Sequence, residues 1–315
     1  MSLNKSSGLY PKEFILTGFP GLENVQYWFS IPFFIIYVAA LTGNAITLLV
    51  IKAEQSLHEP MYLFICMLAV VDITLVITLL NKLLGILWFN STTITFEMCI
   101  IQMFTIHFFT SLNTSLLVVM AFDRYLAVYN PLRYPNIVTN KFIAIASMIV
   151  LARCLAFILP LPFFAVEFQY CATNVIAHCY CEIVELVNIA CEHFEACAFY
   201  LKCLFLLITM PDTVLVGLSY SLILKIILRM KTKEARQKAF STCISHFFVI
   251  LTFHLLSILS YVLNNVLPYV RVITSVLFIV LPSALNPFIY CIRLKQIHEK
   301  IAKVLNSMVA SLFGV

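Results

Sequence analysis

Long apolar stretches separated by short charged ones set the plan of this chain. Residues 24–51, 239–270 and 272–292 contain no Asp, Glu, Lys or Arg. Asp72 interrupts a further apolar segment at roughly 60–81, Arg153 another at 142–165 and Asp212 a third at 197–224. Between Glu97 and Asp123 there is again no formal charge. That makes seven segments, each near the ~20 residues an α-helix needs to cross a bilayer. Only helices and closed barrels satisfy their backbone groups in hydrocarbon. The pattern therefore predicts an all-α membrane protein, a bundle of seven transmembrane helices.

The connecting segments divide the rest. Residues 1–24 precede the first span, 166–196 form a long loop before the fifth, and 293–315 follow the last. In the final segment Leu294, Ile297, Ile301, Leu305 and Met308 share one face, with Lys295, Lys300 and Lys303 elsewhere. This predicts a short amphipathic helix lying on the membrane surface. No polar stretch is long enough for a second domain, so residues 1–315 form one unit.

Composition agrees. Apolar residues are 62% and charged residues 11% of the chain, far from the roughly 45–50% and 25% of soluble domains. With the N-terminus outside, the inner side receives Lys52, Arg124, Arg133, Lys141, Lys225, Arg229, Lys238, Arg293 and other basic residues, while 154–201 holds no Lys or Arg. Basic residues concentrate on the cytoplasmic side, so an external N-terminus is expected. The net charge of +5 then reads as a basic rim facing anionic lipid rather than nucleic acid. Residues 1–21 lack an apolar core of signal-peptide length, so the first span is expected to act as an uncleaved anchor.

Asn4-Lys5-Ser6 and Asn90-Ser91-Thr92 are glycosylation acceptors on the expected outer side, and Asn113-Thr114-Ser115 is a chance match inside a span. Cys99, Cys171, Cys179, Cys181 and Cys191 face the same oxidising side, where spacing alone leaves their connectivity open. The loop also carries Glu167, Glu182, Glu185, Glu192 and Glu195 with no basic residue. It is either a solvated acidic surface or a mild funnel for cationic ligands.

Asp123-Arg124-Tyr125 ends the third span, and Pro131 follows. Together with Pro-Met-Tyr-Leu-Phe at 60–64, Lys-Ala-Phe-Ser-Thr-Cys-Ile-Ser-His at 238–246 and Pro-Ser-Ala-Leu-Asn-Pro-Phe-Ile-Tyr at 282–290, this resembles the rhodopsin-like receptors. Within them it resembles the olfactory receptors. Pro-Gly-Leu-Glu at 20–23, His107 and Met-Pro-Asp at 210–212 are similar to the fish-like, class I branch. The resemblance covers nearly the whole chain. It implies Cys99–Cys181 and Cys171–Cys191 bridges with Cys179 unpaired. It also implies a receptor, not an enzyme, that binds an odorant and activates a stimulatory, olfactory-type heterotrimeric G protein to raise cyclic AMP. A rhodopsin-like receptor for a metabolite or peptide is the alternative.

The residues supply roles within that frame. Arg124, tolerable at the membrane edge while paired with Asp123, is the candidate switch. Asn286-Pro287 marks a weak point in the last helix, because proline removes a backbone hydrogen bond. Tyr220 and Tyr290 are expected near Arg124, and Lys238 at a partner or a lipid phosphate. Asp72 is an intramembrane carboxylate and hence a functional candidate. Similar receptors hold a sodium ion there, but Asn113 stands where the olfactory pattern has Glu, so a hydrogen bond to Asn113 or Asn286 without an ion is the other reading. Arg153 either pairs within the bundle or holds the loop. The sixth span has Phe253-His254-Leu255-Leu256 and no proline.

For a ligand site, His107, Thr110 and Ser111 share a face of the third helix by their i, i+3 and i+4 spacing. Ile258, Tyr261 and Asn265 do the same on the sixth, and Ile158, Val184, Leu201 and Phe205 complete the set. The sixth span offers no Arg or Lys to clamp a carboxylate, so a small, mostly neutral or polar odorant is expected. With seven glycines and no internal repeat, a transporter built on inverted repeats is disfavoured. No nucleophile–base pair or metal cluster stands at a usable spacing for an enzyme.

Overall fold

The structure is a computed structural model that describes residues 11–22, 25–170, 173–191, 195–234 and 267–293, with scattered positions between 236 and 256; side chains are described as far as Ile289. Among the described residues six helical stretches are long and apolar enough to cross a membrane: Gln26–Ala53, Pro60–Phe89, Phe96–Tyr129, Asn140–Glu167, Glu195–Arg229 and Pro268–Ile289. Most of the expected sixth span and the expected surface helix at 294–312 lie outside the described residues.

The helices follow from local chemistry. Helix α1 (Ser30–Ala53), α2 (Pro60–Phe89) and α3 (Phe96–Tyr129) are runs of Leu, Ile, Val and Phe, whose backbone is satisfied within the segment as hydrocarbon demands. Pro60 occupies the first turn of α2, where a missing N–H costs nothing. Thr95 caps α3 by accepting from the Met98 amide at 3.4 Å. Asn90, at φ 51°, closes α2 in the left-handed region that Asn tolerates. Outward faces stay apolar, with Phe34, Ile35, Ile149 and Leu218 exposed where acyl chains would lie.

Helix α3 is central. It packs against α2, against α5 (Asn140–Ile158) and its continuation α6 (Pro160–Glu167), and against α9 (Met210–Arg229). Between α8 (Glu195–Leu204) and α9 the chain makes one π turn, Phe205–Thr209. The last helix, α10 (Pro268–Arg293 in chain order), packs on α1 and α2.

Pro287 lies inside α10 and has no N–H for the carbonyl four residues back, that of Ser283. Asn44 on α1 fills the vacancy, its Nδ2 donating to that carbonyl at 2.9 Å and to Ala40 at 2.8 Å. Gly43, next to Asn44, lets the helices meet this closely: a Cβ there would lie 2.7 Å from Pro287 Cγ. Small residues at such crossings are how membrane helices approach one another.

A feature outside the all-helical pattern covers the Cys99 end of the bundle. Three strands, β1 (Glu13–Leu16), β2 (Thr93–Thr95) and β3 (Val175–Ile176), form a sheet in the order β2-β1-β3. β1 pairs antiparallel with β2 and parallel with β3. Alternation along β1 buries Phe14 and Leu16 and leaves Glu13 and Ile15 outward. Phe14 packs edge-on against Tyr170 at 5.1 Å, and Tyr170 packs against Phe96 and Phe168. The N-terminal segment is thus clamped beneath the long loop.

Replacing Gly43 with Ala forces a carbon against Pro287. Overpacking of this kind costs about 1–3 kcal/mol, so the detergent-purified variant is expected to melt at a lower temperature than the parent, with Gly217→Ala, whose site is open, unchanged.

Candidate ligand cavity and switch network

Under the loop lies a cavity of about 380 Å³. The loop is pinned over α3 by the Cys99–Cys181 bridge, whose Cα atoms are 5.4 Å apart. The Cys181 amide donates to Gln102 Oε1 at 3.0 Å, and Gln102 Nε2 in turn donates to the Thr78 carbonyl on α2 at 3.0 Å. Cys179 is free and Cys191 is disulfide-bonded; its expected partner Cys171 lies outside the described residues.

His107, Thr110 and Ser111 on α3, Ile158 on α5, Leu201 on α8, Phe205 in the π turn and Val184 on the short loop helix α7 (Ile183–Asn188) all line this cavity. Ile258, Tyr261 and Asn265 lie outside the described residues.

The structure brings the loop carboxylates Glu182 and Glu185, offered by the sequence as a surface or a funnel, into the cavity lining, and adds His178, Tyr180 and Arg271, which the sequence did not point to. The signal for Glu182 was its place directly after Cys181, which the bridge sets above α3. Arg271 read as the boundary between two spans, yet α10 begins before it and carries it within the first turn. Arg271 Nη2 pairs with Glu185 Oε1 at 2.6 Å, and His107 Nε2 with Glu182 Oε1 at 3.4 Å. Burial alone would raise the Glu182 carboxyl, but the charge of His107, with His178 and Tyr180, outweighs it and holds it well below the usual range. Burial pushes the His178 ring down to about 4, so it stays neutral. Burial also raises Glu185, against the pull of Arg271. Thr110 Oγ1 and Arg271 Nε are buried without a hydrogen-bond partner.

Beneath the cavity sits an intramembrane ion pair. Arg153 Nη1 meets Asp212 Oδ1 at 2.9 Å and Ser115 Oγ at 3.0 Å. Its Nη2 donates to the Leu207 and Ile208 carbonyls at 3.3 and 3.4 Å. The reason lies in the sequence: Pro211 cannot donate to the Leu207 carbonyl four residues back, and the chain answers with a π turn. Arg153 takes up the carbonyls this leaves open. Of the two roles open to Arg153, pairing within the bundle is the one observed.

On the α2 side of α3, Asp72 is fully buried and accepts from Asn113 Nδ2 at 3.1 Å, Ser283 Oγ at 2.9 Å and Asn286 Nδ2 at 2.8 Å. Both expected amide partners are present, and Ser283 is a third. The oxygens Asn113 Oδ1 and Asn286 Oδ1 are buried without partners. A carboxylate with two orphaned amide oxygens is the donor type that a hard cation takes.

At the opposite end of α3, Arg124 Nε donates to Asp123 Oδ2 at 2.9 Å. Tyr134, in the short helix α4 (Tyr134–Ile137), donates to Asp123 Oδ1 at 2.6 Å. Burial and the Asp123 charge hold the Tyr134 phenol far above its ordinary value, so it remains a donor. Asp123 and Arg124 are buried. Tyr125 stacks on Tyr129, and Asn130 and Pro131 follow where α3 ends. Tyr220 on α9 has a buried hydroxyl without a partner and a ring 5.8 Å from that of Phe247. Lys238 and the Tyr290 side chain lie outside the described residues.

Comparison with known proteins gives a consistent result. The sequence profile described as olfactory receptor matches residues 33–308. Olfactory receptor 52K2 of Homo sapiens is 41% identical, over 96% of this chain and 98% of its own length. Olfactory receptor 52K1 of Homo sapiens is 40% identical over 92% and 94%, and olfactory receptor 56B34 of Mus musculus 37% identical over 95% and 94%. The crystal structure of squid rhodopsin superposes with a TM-score of 0.71 over 91% of this chain and 87% of that chain, at 16% identity, and so shares the fold.

Breaking the Arg153–Asp212 pair from one side strands the other charge, which in a buried pair costs about 3–5 kcal/mol. Arg153→Met and Asp212→Leu are each expected to lower the melting temperature of the purified protein strongly. The double variant is expected to lose less than the two singles added together, and a thermal double-mutant cycle measures the difference.

Proposed function

Since this chain belongs to the olfactory receptor family, as a multi-pass membrane receptor and not an enzyme, we propose that it binds an odorant in the cavity beneath the pinned loop and passes the signal along α3 to a stimulatory, olfactory-type G protein that raises cyclic AMP. The observation that carries this reading is the layout of α3. One end lines a cavity under a disulfide-bound loop, and the other holds a buried arginine in a lock of Asp123 and Tyr134. A receptor needs two packings of one bundle that the ligand weighs differently.

In this reading the N-terminus and the Cys99 end face outward, with Asn4 and the exposed Asn90 as sugar acceptors. The Arg124 end faces the cytoplasm. His107, Thr110, Ser111, Ile158, Val184, Leu201 and Phe205 contact the ligand, with Ile258, Tyr261 and Asn265 from the sixth span. Ligand pressure on Phe205 bears on the π turn, which Arg153 ties to α3. A shift there, together with bending at Pro287, separates Asp123 from Arg124 and opens a crevice near Tyr220 and Tyr290. Lys238, Tyr125 and the turn at Pro131 then meet the partner or lipid phosphate. A sodium ion would be held by Asp72 with Asn113 and Asn286, and would supply a charge that keeps Asp72 ionised. A cavity of about 380 Å³ suits a small molecule better than a peptide, so the peptide alternative is the weaker one.

A cyclic-AMP reporter screened against odorant panels is expected to give at least one agonist. Arg124→Ala, at matched surface display, is expected to lower the maximal response by roughly tenfold or more, about 1.4 kcal/mol of coupling. A response that Arg124→Ala leaves intact would overturn the proposed switch.

A further inference from the structure

Among the described residues, the charges that line the cavity balance only when His107 carries a proton. Arg271 and Glu185 neutralise one another at 2.6 Å. Glu182 has His107, at 3.4 Å, as its only ion-pair partner among the described residues. His178, the other imidazole beside it, is held neutral by burial. Residues 239–270 contain no Asp, Glu, Lys or Arg, which leaves His246 and His254 as the basic residues of that stretch. His107 and Glu182 keep side-chain exposures of 26% and 20%, and both line the cavity. With His107 neutral, the site holds one fixed carboxylate in excess.

We propose that the ligand is a small aliphatic amine whose ammonium group takes the place of the His107 proton beside Glu182. This rests on the reading of the cavity as the odorant site and names the class of odorant. An ammonium group brings three donors and no acceptor. Glu182 offers one acceptor, and the orphaned Thr110 hydroxyl, one turn along α3 from His107, offers another. Ile106, Leu204, Ile208, Phe278 and Ile279 supply an apolar wall for the hydrocarbon tail. A carboxylate ligand meets the opposite conditions. It must break the Arg271 pair, leave Glu185 buried and uncompensated, and lie near two like charges, which is costly. A neutral carbonyl compound meets no penalty and gains no charge attraction.

Proton linkage follows. The amine binds the form in which His107 is neutral, so binding releases a proton and potency rises with pH across the imidazole range. Among the described residues, the titratable and charged groups that line the cavity with His107 and Glu182 are His178 and Tyr180 from the loop, Glu185 from α7 and Arg271 from α10. Burial keeps His178 neutral through that range.

The test compares heptylamine, heptan-2-one and heptanoate in cells expressing the full-length receptor with a cyclic-AMP reporter, surface display being checked by antibody. The amine is expected to be at least roughly tenfold more potent than the ketone, and the acid weakest. Glu182→Gln brings the amine to the ketone's potency while the ketone response persists. Raising pH from about 6 to about 7.5 strengthens the amine response and not the ketone response, and His107→Asn removes that dependence. An acid of equal or greater potency overturns the assignment. So does parity of amine and ketone, or an amine advantage that survives Glu182→Gln. If all three are silent but a nitrogen-free odorant from a wider panel raises cyclic AMP, the amine assignment falls and the receptor reading stands. Silence throughout, at confirmed surface display, ends both.

Discussion

A carbonyl left open inside a membrane must find a donor, and this constraint organises the bundle. Two of the prolines within the helices show how. Pro287 frees the Ser283 carbonyl, which Asn44 takes up from α1. Pro211 frees the Leu207 carbonyl, which Arg153 takes up from α5. In water a solvent molecule would do the same work. Here the donors come from neighbouring helices, so each backbone defect becomes a tie between two elements. The defects also mark the places where a helix bends most easily. The same positions therefore hold the bundle together and give it somewhere to move.

The ion pairs extend this logic to side chains. Asp72, Asp123 and Asp212 are all nearly inaccessible, and each is met by donors from at least one other element. Buried charges are tolerated on those terms and seldom add net stability. Their value lies in admitting few alternative arrangements. All three clusters attach to α3, through Asn113, Ser115 and Asp123 itself. Interfaces of this kind switch between packings rather than deforming gradually.

Much of this was legible in the sequence. Charge-free intervals set the spans, since a helix in lipid has to be long and uncharged. Asp123-Arg124-Tyr125 declared its end of α3, and the spacing of His107, Thr110 and Ser111 declared the cavity face. What stayed hidden depends on tertiary contact. Arg153 and Asp212 are far apart in the chain and belong to different spans, so their pairing had no local signature. Arg271 read as a boundary because a charge ends an apolar run, although its side chain serves the cavity from within the helix. The small sheet was missed for a related reason. Glu-Phe-Ile-Leu alternates too briefly to announce a strand, and its partners stand far away at 93–95 and 175–176.

That sheet bears on how the polypeptide is made. β1 occupies the middle position, yet its neighbours emerge from the ribosome only after two and then four membrane-spanning stretches have been synthesised. Until residue 176 appears, the first-made strand has at least one unpaired edge, and such edges invite wrong partners. Closure of the lid is accordingly a late step in biogenesis. Until then Phe14 and Leu16, buried in the finished sheet, lack the partners that cover them.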